Sequence, residues 1–582
     1  KTVLQQNRFA SARIATNVSE SDEVGTFDER VRTRIRFGGG NGDRFESVGC
    51  GAQVKTEQGT VTVLDRLESR EPTTFAGYVG EGIGRKRVRV HLDTLCNETT
   101  RKTVDVTVYL DDSTILNKKR IGDENRTRIG VTPLFDGESA VRPAINRRVD
   151  HRVKGMADGF VRRDVGVPVR AEDAFLQLIA REPHGFWLDD SLGETVSYLG
   201  LGTPVAVTNG FAELESANDV PVSRVGWISY GERGSTLGVS VGIERHDRAL
   251  ILDVDILLEV DHRDGSVSIY AKDESRADAW ATELTNVAGA QSPLLEWPTP
   301  EPRAANWRDS PEEYAGFIAE CLRHITDGDA YQLCLTTSID VPGEIDPVGT
   351  YIALRHASPT RHGGFIRSGD VYLLSSSPET FLTVRGRVAS TKPIKGTRAR
   401  SMDPAEDALL KRDLLESDKE RAENLMIVDL CRNDLSKVCE TGSVHVPALH
   451  VVETYSTVHQ LVSTVSGTLA DGVTASHAAA ALFPAGSMTG APKRSAVEIL
   501  NGLESSERGM YSGVFGFAGR GDLTLAMTIR SIVIDNVGAT IGVGGGITAG
   551  SDPLAEIREV GVKADALLRV LGASPNSFLS AE

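Results

Sequence analysis

The stretch "STKPIKGTRAR", residues 390–400, sets Lys395 between Pro-Ile and Gly-Thr, with Lys392, Arg398 and Arg400 close by. A solvated basic turn explains such a run. So does a stricter need: an amine serves as a nucleophile only without its proton, and burial plus the neighbouring cations Lys392 and Arg398 would disfavour the ammonium. Carboxylates supply a second set of candidates. Glu556 and Glu559, in "SDPLAEIREVGVKADALL", stand three apart and would project from one face of a helix opened by Asp552-Pro553. With Glu423, from "DKERAENLMIVDL", they would form an oxygen-donor set suited to Mg²⁺, a cation that keeps several waters and needs few protein carboxylates. A solvated acidic helix face explains the same spacing. Gly544, Gly545 and Gly546, in "IGVGGGITAGSDP", read as a loop whose N–H groups could turn toward an anion, or as a plain tight turn. "FPAGSMTGAPK", residues 483–493, is a second loop of small residues that carries two hydroxyls, Ser487 and Thr489, and the cation Lys493.

These groups need elements to hold them. "GDVYLLSSSPETFLTVRGRVASTKPIKG" predicts three strands in succession, with Glu379 and Lys395 at strand ends, where a sheet can aim side chains into a cleft. "PAEDALLKRDLLESDKERAENLMIVDLCRNDL" predicts one long helix whose charge thins from Glu423 to Leu430, so that Glu423 sits on its buried side and needs a partner. Upstream, "AEDAFLQLIAREP" predicts a helix, and "GFWLDDSLGETVSYLGLG" two strands around a turn. "EWPTPEPRAANWRDSPEEY", residues 296–314, reads as a linker that ends in a helix start, with Ser310 as N-cap and Pro311 in the first turn.

A chain of 582 residues implies several domains. Residues 1–150 carry about +3 and the remainder about −20, which suggests unlike modules. The overall charge of −17 argues against nucleic acid and anionic membrane as partners. No run is long enough for a membrane span, "KTVLQQNRFA" lacks the apolar core of a signal peptide, and six scattered cysteines with no CxxC pair suit a reducing cytoplasm. Residues 1–165 are β-rich and strand-like in "KRVRVHL" and "KTVDVTVYL", and their glycine clusters match no phosphate-binding spacing.

Nine blocks in order resemble the family of chorismate-utilising enzymes: "GDAYQLCLT", "SSSPETFL", "PIKGTRAR", "DKERAENLMIVDLCRNDL", "VETYSTVHQLVS", "FPAGSMTGAPK", "RGMYSGVFGF", "AMTIRS" and "GGGITAGSDPLAEIREV". The resemblance implies an α+β, two-sheet chorismate-binding fold with flanking helices. Residues 166–300 would be its N-terminal part, 301–572 the catalytic core, 573–582 a tail, and 1–165 an unassigned β-rich segment. It also implies chorismate as substrate and Mg²⁺ held by Glu423, Glu556 and Glu559. Glu379 would be the general acid at the departing C4 hydroxyl, and His459 an active-site histidine near it. Tyr511, Arg530 and the Gly544–Gly546 amides would grip a substrate carboxylate, with Thr397, Lys493 and Gln332 lining the pocket. Gln332 stands where water-using members carry a lysine. Lys395 resembles the aminodeoxychorismate-forming branch, in which the lysine attacks ring C2 before ammonia adds at C4. An alanine there marks the anthranilate-forming branch, the nearest alternative. A silent chorismate-binding subunit is disfavoured because every catalytic position is filled. Ala399, Cys334 and Ile557-Arg558 depart from the family pattern and bear on local fit.

Such enzymes draw ammonia from a glutaminase, and residues 1–165 do not encode one. Cys50 lies in "SVGCGAQ" rather than GxCxGxQ, and neither His91 nor His151 opens a His-x-Glu pair. The expectation is a separate glutaminase partner, or free ammonia at high concentration.

Overall fold

The computed structural model describes residues 159–574 and Phe578, except 216–217, 288–299 and 456–457; before residue 159 it describes only the backbone of strands. The chain forms two compact units, Lys1–Arg147 and Arg148–Glu582. In the first, nine strands between Arg13 and Val131 form one sheet, in which Lys86–Cys96 pairs antiparallel with Lys102–Leu110. Cys50 and His151 lie outside the described residues, as do the side chains of His91 and Cys96.

The second unit carries the site. All its strand pairs are antiparallel, in a single hydrogen-bonded network of 21 strands. Two runs diverge from one long strand, Ala249–Asp261. Its later residues pair with Val196–Pro204, and from there the first run passes through His184–Asp189, His362–Ser368, Val371–Ser377, Ser531–Ile534 and Gly538–Thr548 to Gln332–Pro342. Its earlier residues pair with Arg224–Ile228, which leads through Val514–Gly519, Asp522–Met527, Thr380–Arg385 and Val388–Lys392 to Val458–Thr468. Alternation along the strands fills the space on both sides of each run. Phe186 and Leu188 pack between the runs with Trp227 and Phe515. Trp187, pointing the other way, meets Phe175 and Tyr351 at ring-centroid distances of 5.0 and 5.4 Å beneath the outer helices. Behind the second run, Val384, Val465 and Met527 pack on Val428 and Leu482 from helices Asp418–Ser436 and Ala475–Leu482.

Local signals place most helix starts. Helix Pro311–Asp327 opens on a capping box, Ser310 with Glu313, and helix Pro553–Val570 opens on Asp552, whose side chain accepts from the Ala555 N–H. Two expectations need correction. The single helix read over 404–436 is two, Pro404–Glu416 and Asp418–Ser436, because Ser417 turns extended and caps the second by accepting from the Glu420 N–H. The three strands read over 369–396 are followed by a fourth, Ile394–Ala399, so Lys395 lies near the start of that fourth strand and not at the end of the third. Among the described residues no helix is long and apolar enough to cross a membrane.

Candidate active site

Lys395 owes its direction to a bulge. In the pairing of Ile394–Ala399 with Val458–Thr468, Ile394 faces Val462 and Thr397 faces Gln460, so Lys395 and Gly396 together oppose Leu461. Gly396 takes a left-handed φ of +83°, which any side chain would strain, and the extra residue turns Lys395 out of the pleat. Lys392, Ile394 and Thr397 line a 540 Å³ cavity between the two runs. Lys395 instead points to the far side, where its charge acts on Glu379, Glu423 and Glu559. Among the described residues its amine has no hydrogen-bond or ion-pair partner. The crowding by cations read from the sequence is corrected here: Lys392 pairs with Glu453 at 3.0 Å, Arg398 with Asp413 at 2.7 Å and Glu420 at 3.4 Å, and Arg400 with Asp407 at 2.7 Å. Each neighbour is neutralised by its own carboxylate, so the setting of Lys395 depends on the acids it faces.

Glu379 sits between strands Val371–Ser377 and Thr380–Arg385 and is buried. Burial raises its pKa from 4.5 to about 7, against the opposing effects of a Ser487 hydrogen bond and the Lys395 charge. It can therefore hold a proton near neutrality.

Three further carboxylates come from two helices. Glu423 is pushed up by burial, then by Glu420 and Glu556, with Lys395 and Lys419 opposing. Glu556 is pushed up by burial and by Glu559 and accepts from Ser551 Oγ at 2.7 Å. Glu559 is held low, chiefly by Lys563 at 2.8 Å. These mutual effects place the three around one space. Among the described residues, however, no three acidic, histidine or cysteine side chains converge as a ready cage for an ion. Lys419 and Lys563 were missed at the sequence level, although each stands four residues from its glutamate, a spacing that pairs charges on a helix.

The glycine run is not the loop expected from its composition; it lies inside strand Gly538–Thr548. Thr336 pairs with Gly544, and Cys334 with Gly546, yet the Thr336 N–H donates to Glu504 and the Cys334 N–H to the Thr489 carbonyl, both away from the glycine strand. Such non-hydrogen-bonded pairs leave the Gly544 and Gly546 backbone groups facing the strand's other edge, where the Gly544 carbonyl accepts from Lys563 at 2.9 Å. The absent side chains matter equally. A Cβ on Gly546 would lie 2.8 Å from Gln332 Nε2 and 3.2 Å from Lys395 Nζ, one on Gly545 would lie 3.2 Å from Glu556 Oε2, and one on Gly542 would overlap the Tyr511 ring. Gln332 is fully buried beside Lys395, and among the described residues neither its amide nitrogen nor its oxygen has a partner. Arg530, in a left-handed conformation at φ 51°, has no hydrogen-bond or ion-pair partner for its guanidinium among the described residues; burial lowers its pKa while Tyr511 and Glu559 oppose.

Three candidates stand apart from this group. Thr397 is exposed at the larger cavity, on the opposite face of its strand from Lys395. His459 is buried with both ring nitrogens engaged, by Thr454 at 2.9 Å and Asp407 at 3.0 Å. Lys493 is buried against Asp434 at 2.6 Å and donates to the Leu482 carbonyl.

A two-run antiparallel sheet with a lysine unpaired among the described residues, a buried glutamate whose pKa is raised and three carboxylates from two helices defines a class, and the chain belongs to the chorismate binding enzyme family, whose model matches residues 196–569. Its similarities within the class point further. It is 38% identical over 464 residues to an aminodeoxychorismate synthase of Streptomyces pristinaespiralis, which covers 70% of this chain and 64% of the relative. It is 36% identical over 353 residues to anthranilate synthase component 1 of Mycobacterium bovis, covering 56% of this chain and 67% of that one. The solved anthranilate synthase component I of Streptococcus pneumoniae shares the fold at a TM-score of 0.56 and 22% identity, over 75% of this chain and 95% of that one.

Proposed function

We propose that this chain aminates chorismate at C4, giving 4-amino-4-deoxychorismate as the synthase component of an aminodeoxychorismate synthase. The observation that carries the reading is the bulge at Lys395–Gly396, which delivers an unpaired amine into the space shared by Glu379 and the three carboxylates. Arg530 and the open Gly544–Gly546 edge would take the carboxylates of a doubly negative substrate. Glu379 would then give its proton to the C4 oxygen, which leaves as water while Lys395 Nζ bonds to C2. Ammonia bonding at C4 releases C2 from the lysine, so chorismate and ammonia yield aminodeoxychorismate and water, and the amine is regenerated.

Glu423, Glu556 and Glu559 fit a divalent cation, because two of them carry repulsion that such an ion would relieve. Bound there, Mg²⁺ would neutralise and orient a substrate carboxylate. Ammonia would come from a glutaminase partner. A reducing compartment suits Cys321, Cys334, Cys431 and Cys439, all free thiols.

One assay separates the readings: the chain incubated with chorismate, Mg²⁺ and ammonium, with products resolved by chromatography. Aminodeoxychorismate is expected. Anthranilate would indicate the alternative branch, and unconsumed chorismate a silent binding subunit.

A further inference from the structure

Beside Glu379 lies a cavity of about 20 Å³ lined by Glu379, Thr391, Cys431, Asp434, Leu482 and Ser487 among others, and Lys395 is not in its wall. That is room for one water molecule, and the wall offers the two to four polar partners a buried water needs. Two motifs the reaction leaves unused meet here. "FPAGSMTGAPK" supplies Ser487 and Lys493, and "CRNDL" supplies Asp434. Asp434 is buried, its carboxylate 2.6 Å from the buried Lys493 ammonium and 2.8 Å from the exposed Lys437. A buried ion pair is by itself weak evidence of a stabilising role, because desolvation offsets much of the attraction.

We propose that this cavity holds one water that joins the Glu379 carboxyl to the Asp434–Lys493 pair, making Asp434 and Lys493 positioning residues that govern the acid through it. The inference rests on Glu379 as the acid of the proposed reaction, but the coupling is a property of the folded chain. The charged and titratable groups around Glu379 are Lys395, Cys431 and Asp434 from helix Asp418–Ser436, and, beyond Asp434, the buried Lys493 and the exposed Lys437; Ser487 donates to it. Within this set, removing the aspartate charge leaves a cation facing the carboxyl and favours its ionised form. Removing the lysine charge leaves an anion countered only by the exposed, solvent-screened Lys437 and favours the protonated form.

The test reads Glu379 without turnover. Infrared titration of the full chain follows the protonated-carboxyl band, which is assigned by its loss in Glu379→Gln. Asp434→Asn should move the titration down by about one pH unit, Lys493→Met should move it up by a similar amount, and the double variant should return it close to the wild-type position. Cys431→Leu, which fills the cavity and keeps every charge, should also move it up, since the carboxylate loses its water donor. Opposite shifts with restoration support the proposal, even if no amination is found. Shifts of the same sign, no shift, or an unmoved titration in a folded Cys431→Leu variant overturn it.

Discussion

Replacing Glu379 by glutamine should stabilise the protein, and by an amount set by pH. The carboxyl moves from an ordinary 4.5 to about 7 on folding, because it is buried. Between these values the folded chain keeps a proton that the unfolded chain has released. Wild-type stability therefore falls as pH rises across that window and levels off above it. At 1.36 kcal/mol per pH unit, the gap of roughly 2.5 units corresponds to about 3 kcal/mol. Glutamine carries no charge at any pH, fits the same space and can still meet the Ser487 hydroxyl. The two proteins should unfold in urea at similar concentrations near pH 4.5 and separate progressively until pH 8, with the variant the more stable by up to about 3 kcal/mol. The same substitution should remove the acid and abolish turnover, a trade of stability against function. A stability difference that does not change with pH, or one that favours the wild type at pH 8, would refute the burial argument.

Four other outcomes follow from the geometry. Lys395→Ala should abolish C4 amination while leaving the unfolding transition in place; unchanged product in chromatography would remove the lysine from the reaction. Gly396→Ala should cost about 1–2 kcal/mol for its left-handed φ, and more where its Cβ meets Leu414 at 2.8 Å and Glu420 at 2.9 Å, and turnover should fall as the bulge relaxes. Gly546→Ala crowds only the flexible ends of Gln332 and Lys395, so kcat should drop on the order of tenfold or more with little change in Tm; a normal kcat would place those side chains away from the reaction. Chelation of divalent ions should stop chorismate consumption, and Mg²⁺ should restore it; full activity in chelator would free the three glutamates from a metal role.

Elements governed by local chemistry were legible in the sequence. The Ser310 and Asp552 caps, the hairpin over 184–204 and the pair Glu556 and Glu559 on one helix all follow from neighbours within a few residues. What depended on distant partners was not. The glycine run lacks every local strand preference and becomes a strand because Gln332–Pro342, some 200 residues earlier, pairs with it along its whole length. The basic cluster around Lys395 looked uncompensated because the partner of Lys392 is Glu453, and the partners of Arg398 lie on the next two helices. Ser417 was lost inside a helical pattern, although Ser with Glu420 three residues on is a start signal in its own right. Lys493 looked like a pocket cation, and only packing reveals Asp434 beside it.

The strand Ala249–Asp261 serves both runs, its two ends belonging to different layers. Within the second unit, residues 160–300 therefore do not make a lobe of their own: His184–Asp189 is completed by His362–Ser368, and Arg224–Ile228 by Val514–Gly519. The first of these ladders cannot close before residue 368 has been synthesised, nor the second before residue 519, so each early strand, paired locally on one edge, waits with its other edge bare for a late partner. The same interleaving leaves no plane along which evolution could transplant the catalytic half without carrying its other half with it.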